Sequence, residues 1–167
     1  MRKITILLAS QQHNRDLANQ IFSELSERNI VANIIDLVDL DLPLYSSKAQ
    51  DDIGFPPQLK AVFEACQSSH GFVVVAPEYN GGIPPVLTNA IAWLSVMGKE
   101  WREAFNAKVA GIATFSGGGG MQLIIALRNQ LAYLGLTVIG RAIQTTHQKP
   151  LKDDSLKDFS SQLVKQI

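Results

Sequence analysis

Five short apolar runs, spaced by stretches with helical periodicity, constrain this chain more than any other feature. Residues 4–9 are nearly all apolar and include β-branched side chains, as a strand covered on both faces requires. Residues 31–35, 71–76, 109–115 and 136–139 read as four more strands. Between the first two, Leu17, Ile21 and Leu25 recur four apart with Ala18 and Phe22 beside them, the stripe of a helix starting near Asn14 and stopping at Asn29. Residues 58–69 carry Leu59, Val62, Phe63 and Cys66 on one side. Pro84 and Pro85 suit only the entry of a helix, which continues over residues 86–97. Residues 121–134, closed by Gly135, and residues 155–167 complete the set. Residues 39–57 read as irregular, because Pro43, Gly54, Pro56 and Pro57 break any period. Five strands alternating with five helices predict an α/β protein built on a doubly wound, five-stranded parallel sheet of order 2-1-3-4-5. Ligands of such sheets bind outside the carboxyl ends of the strands, where the winding direction switches.

The length of 167 residues fits one domain spanning 1–167, and 46% hydrophobic residues suffice to fill its core. Lys and Arg number 15 and Asp and Glu number 15, so the chain lacks the basic field that nucleic acid or a membrane surface would need. Any anion site must therefore be local, made by a loop or a helix end. The single cysteine, Cys66, excludes an internal disulfide and suits a reducing compartment. The apolar stretch after Arg2 and Lys3 is too short for a signal peptide, and no run approaches the ~20 residues of a membrane span. These features predict a cytoplasmic protein.

The switch-point rule selects three loops, residues 10–14, 77–83 and 116–120. The first leaves a strand and opens a helix, where free N–H groups and the helix dipole favour an anion. Ser10 and Asn14 add donors there, Arg15 adds charge, and His13 is a possible phosphate donor when protonated. A plain helix cap by Ser10 or Asn14 accounts equally well for the pattern. No glycine is present, which excludes a Walker phosphate loop and the dinucleotide fingerprint. The second loop combines Pro77, Glu78, Tyr79 and Asn80 with Gly81 and Gly82, an aromatic ring and polar side chains beside backbone that a ligand can approach. The third, Ser116 followed by Gly117, Gly118, Gly119 and Gly120, is either bare wall for a flat ring or a hinge. His13, His70 and His147 are scattered, so neither a metal site nor a catalytic triad is expected.

The run Ala76-Pro77-Glu78-Tyr79-Asn80-Gly81-Gly82-Ile83-Pro84, followed by Leu87, Asn89-Ala90-Ile91 and Trp93-Leu94-Ser95, closely resembles the NADPH-dependent FMN reductase family, which includes azoreductase-like and chromate or quinone reductases. Asp36-Leu37, Leu42-Pro43-Leu44-Tyr45 and the glycine run with Leu127-Arg128, Leu131 and Leu134-Gly135 support it. The resemblance implies a flavodoxin-like three-layer sandwich that binds FMN and assembles as a homodimer or homotetramer. It implies hydride transfer from NADPH or NADH, through FMN, to a flavin, quinone or similar small acceptor, with the flavin and no side chain performing the chemistry. By that resemblance Ser10 and Asn14 grip the phosphate, Pro77, Glu78, Tyr79, Asn80 and Gly81 follow the ring and ribityl chain, and Ser116, Gly117 and Gly118 lie at the ring edge. The first loop departs from the family pattern. Ala9 stands for the usual Gly, about three residues are missing, and the customary Arg and second Ser have no counterparts. Losing an Arg–phosphate contact removes a charge-assisted bond of about 1.5–3 kcal/mol, which Arg15 or His13 would have to replace. An electron carrier like flavodoxin, or a flavin-free binding or scaffold protein, is the alternative.

Overall fold

The structure, a computed structural model, describes residues 1–167. Strands β1 (Lys3–Leu8), β2 (Val31–Asp36), β3 (Gly71–Val75), β4 (Val109–Phe115) and β5 (Thr137–Thr145) form one sheet. Its order is β2-β1-β3-β4-β5 and every pairing is parallel. The flavodoxin-like α/β architecture and strand order expected from the sequence are therefore present. Helices α1 (His13–Glu27), α2 (Ser47–Ile53), α3 (Pro57–Ser68), α4 (Pro85–Leu94), α5 (Met121–Tyr133) and α6 (Asp153–Val164) make six rather than five, with a 3-10 turn at Trp101–Ala104.

Alternation along the central strands assigns the helices to layers. Phe72 and Val74 of β3 join a core with Leu59, Val62, Leu87, Trp93, Leu123 and Leu127 of α3, α4 and α5. Val73 and Val75 turn the other way, onto Leu17, Ile21 and Leu25 of α1 and Phe159 and Leu163 of α6. Both faces of β3 are buried, which is why it reads as an unbroken apolar run.

Two differences from the sequence reading have local causes. Helix α2 lies within the stretch read as irregular. It buries no residue, so no apolar stripe marks it, and only its ends are signposted. The Ser46 hydroxyl accepts from Ala49 N at 3.0 Å, and Gly54 leaves the helix at a φ of 68°. Strand β5 continues six residues past Ile139. The β4–β5 register slips between Ala110 and Ile112, so Val138 and Ala142 of β5 face residues only two apart on β4. Arg128 of α5 donates to the carbonyls of Ile139 and Gly140 at 2.9 and 2.7 Å and occupies the acceptors left free there. Gly140 and Arg141 interrupt the apolar pattern at this irregularity, which made the strand look finished.

At the amino edge of the sheet, Lys108 donates to the carbonyls of Cys66, Gln67 and Ala104 at 2.7, 2.9 and 3.1 Å and closes the end of α3. Burial pushes the Cys66 thiol up to about 12, against the opposing pull of Lys108. Burial also lowers the Lys108 ammonium from its ordinary value. No helix is long and apolar enough to cross a membrane.

Candidate functional site

All three loops emerge at the carboxyl edge, and hydrogen bonds tie them into one rim. Asn14 is buried, and its amide pairs with the end of β4: Nδ2 donates to Phe115 O at 3.1 Å, and Oδ1 accepts from Phe115 N at 2.9 Å. Ser116, also buried, accepts from Glu78 N at 2.7 Å and pairs with the Thr114 hydroxyl at 2.8 Å. The Glu78 carboxylate accepts from the N–H groups of Gln122 and Leu123 at 3.0 and 3.2 Å, placing its charge at the positive end of α5. These three side chains brace the loops through hydrogen bonds to protein partners, Glu78 by one of its two carboxylate oxygens.

Arg15 and His13 are engaged as well. The Arg15 guanidinium is ion-paired with Asp36 and lies 3.1 Å from Asp39. The His13 ring packs against Phe115 at 4.4 Å between centroids and meets His147 edge-on at 5.0 Å. That cluster borders a separate hollow, lined also by Thr145, Pro150 and Leu151.

Tyr79 and Gly82 exchange backbone hydrogen bonds of 3.1 and 2.9 Å across Asn80 and Gly81, whose φ values are 50° and 74°. Two successive positive φ angles define a tight turn of the type that asparagine and glycine favour. Pro77 is buried beneath it, while Tyr79 is half exposed. A Cβ added at Gly81, Gly117 or Gly118 would meet no atom within 4 Å, so the rim there is open backbone.

A cleft of about 630 Å³ opens along this rim. Ala9 to Gln12 form one wall, Leu37, Val38, Asp41, Leu42 and Leu44 form a second, and Tyr79, Pro85, Val86 and Asn89 complete the lining. Of the residues singled out in the sequence, Ser10 and Tyr79 line it directly. Asn80, Gly81, Gly117 and Gly118 belong to the adjoining loops, and His13, Asn14 and Arg15 stand behind the first wall in α1. Helix α1 has no side-chain cap, and no protein acceptor meets the N–H groups at its start, Gln12 to Arg15. Gln12 itself holds a φ of 53°.

The second wall was not assigned to the site from the sequence. Trp93 Nε1 donates to Pro43 O at 2.7 Å. Asn89 donates to the carbonyls of Leu42 and Pro43 and accepts from Tyr45 N at 2.8 Å. Tyr45 stands edge-on to Trp93 at 5.1 Å. The Leu42–Tyr45 segment and the Asn89 and Trp93 positions, far apart in sequence, are thus one device. In the sequence these positions carry the family resemblance, and that resemblance assigned them no place in the site.

The profile of the NADPH-dependent FMN reductase family matches residues 2–149. The probable NADPH:quinone oxidoreductase 2 of Oryza sativa subsp. japonica is 33% identical over 136 residues, covering 79% of this chain and 65% of that protein. The quinone reductase of Escherichia coli is 36% identical over 103 residues, covering 60% of this chain and 53% of that one. The chain thus spans less than two thirds of the length of these relatives. Among solved structures, the flavoenzyme NAD(P)H:(acceptor) oxidoreductase FerB from Paracoccus denitrificans superposes with a TM-score of 0.78 at 19% identity, over 99% of both chains. An FMN-dependent NADH-azoreductase from Bacillus anthracis, in complex with FMN, gives 0.67 at 12% identity over 98% of this chain and 99% of that one. At these identities the two structures establish a common fold. With sequence profile, strand order and rim in agreement, the chain belongs to the NADPH-dependent FMN reductase family.

Proposed function

We propose that this protein is an FMN-dependent NAD(P)H oxidoreductase whose acceptor is a flavin, quinone or similar small molecule. The observation that carries the reading is the pairing of uncapped N–H groups at the start of α1 with a largely apolar cleft beside open glycine backbone. The cleft volume falls within the ~300–1,000 Å³ usual for cofactor sites. FMN, when bound, supplies the reversible two-electron chemistry that the side chains at this rim lack.

The chain's own residues bind and orient. Backbone N–H groups of residues 11–15, with the Ser10 hydroxyl, hold the phosphate, as helix starts do. Tyr79, the Asn80-Gly81 turn, Gly117 and Gly118 would hold the ring, their backbone N–H groups being available as hydrogen-bond donors to it. Asn14, Glu78 and Ser116 keep those loops in register and Pro77 underlies the turn, so the donors are in place before the ligand arrives. Leu37, Val38, Leu42, Leu44 and Val86 supply an apolar surface that excludes water. Arg15 lends its charge to the start of α1 while bound to Asp36 and Asp39. The same reading takes 1–167 as one flavodoxin-like unit that assembles as a homodimer or homotetramer in the cytoplasm.

Titrating the purified protein into FMN, then adding NADH or NADPH anaerobically, tests this. Quenched flavin fluorescence followed by bleaching of the bound chromophore is the expected result. Binding without bleaching would indicate an electron carrier, and no binding would remove the flavin from the account.

A further inference from the structure

The first loop, Ala9 to Gln12, turns from β1 into α1 without a glycine. The left-handed backbone falls on Gln12, at a φ of 53°, a conformation that a residue with a side chain keeps only when its surroundings hold it. Both of its neighbours are held. The His13 ring packs on Phe115, and Gln11 Nε2 donates to Asp39 Oδ1 at 2.7 Å. The second oxygen of the same carboxylate, Asp39 Oδ2, accepts from Arg15 in the first turn of α1 at 3.1 Å. One side chain therefore grips the chain on either side of Gln12. The sheet brings Asp39 to this place. Asp36 of β2 is in register with Leu8 of β1, and Leu37 N donates to Leu8 O at 2.9 Å, so the chain leaves both strands side by side. Asp36 Oδ1 then accepts from Val38 N and Asp39 N at 2.8 and 3.2 Å and shapes the turn that presents Asp39.

We propose that Asp39 is a positioning residue for the flavin phosphate. Its carboxylate clips Gln11 and Arg15 from outside the first loop and keeps the unpartnered N–H groups of Gln12 to Arg15 in the arrangement a phosphate needs. Asp39 is not among the residues lining the cleft, so it acts through Gln11 and Arg15. Its side chain is 63% exposed, and exposed pairs of this kind contribute little to folding, so the clip governs the loop rather than the fold. This rests on the flavin reading above and adds the residue that shapes the phosphate end of the site.

A double-mutant cycle on the full chain tests this, with the affinities for FMN and riboflavin read by flavin fluorescence. Gln11→Ala breaks the clip without changing the charge. It should weaken FMN about fivefold in the parent and less than about twofold in Asp39→Ala, where no clip is left to break. Asp39→Ala by itself also removes a negative charge beside α1, and the cycle cancels that contribution. Asp39→Asn keeps an acceptor for Gln11 Nε2, so the dependence on Gln11 should return in that background. Riboflavin lacks the phosphate, and its affinity should be insensitive to Gln11→Ala. The urea midpoints of all variants should stay close to that of the parent. An equal loss of FMN affinity with and without Asp39 would mean that Gln11 meets the ligand by itself. That result, an equal loss for riboflavin, or a loss below about twofold in the parent would overturn the inference and leave the flavin reading intact. If FMN does not bind the parent at millimolar concentration, both the inference and the flavin reading fail.

Discussion

Asn14 looks like a phosphate ligand in the sequence and is a clamp in the structure, so its replacement separates the two roles. In Asn14→Ala, Phe115 loses the acceptor for its N–H and the donor to its carbonyl, bonds of 2.9 and 3.1 Å. Asn14 is only 4% exposed, whereas Phe115 is half-buried, so water recovers part of what is lost. An unsatisfied buried group costs about 1–3 kcal/mol, and with partial rehydration the pair should cost about 2–3 kcal/mol. That is a large share of a typical stability of about 5–15 kcal/mol. Asn14→Asp keeps an acceptor for Phe115 N but faces a carboxylate toward Phe115 O, so it should be at least as destabilising at neutral pH. Urea unfolding followed by Trp93 and Trp101 fluorescence reads both variants, with the midpoint falling and the slope unchanged. If both variants stay within about 0.5 kcal/mol of the parent, the clamp is not structural and the reasoning fails.

Three further outcomes follow from the packing and charge of the fold. Gly111→Ala would put a Cβ 2.5 Å from Cζ of the fully buried Phe159 ring, so a loss of about 1–3 kcal/mol is expected by thermal or urea unfolding. Glu78→Ala removes the acceptor for two N–H groups at the start of α5 and should cost about 1 kcal/mol, read as a lower melting temperature. Cys66 has a raised thiol value in the folded chain, so its contribution is complete below the unfolded value of 9.0 and is lost as pH rises toward about 12. Lys108 works the other way, its contribution growing as pH climbs from its lowered value to 10.5. Urea unfolding of Cys66→Ala from pH 8 upward should therefore show less alkaline loss than the parent, and an identical pH profile would contradict the buried-thiol assignment.

The sheet was legible because burial on two faces leaves an unmistakable mark, as in residues 71–76, where no polar side chain interrupts the run. The loops were legible because the switch-point rule turns strand order into a location. Polarity alone could not disclose which polar side chains in those loops face a ligand and which face the protein. Asn14, Glu78 and Ser116 carry suitable groups, and they direct them to the backbone of a neighbouring strand, helix and loop respectively. Arg15 had no marked partner, since Asp36 and Asp39 come beside it only when β2 pairs with β1. The second cleft wall was hidden for a similar reason. Asn89 and Trp93 read as helix positions, and only the folded chain shows them holding the Leu42–Tyr45 segment in place.

The claim on which the functional account depends is that a flat ring ligand lies along the rim made by the first, second and third loops. Backbone amide shifts of the isotope-labelled chain, recorded while FMN is added, measure this directly. The largest changes should fall at residues 10–15, 79–81 and 117–118, with smaller ones at Leu42 and Leu44. Changes concentrated instead around Arg141, Lys149 and Ser155 beside β5, or absent altogether at saturating FMN, would contradict it.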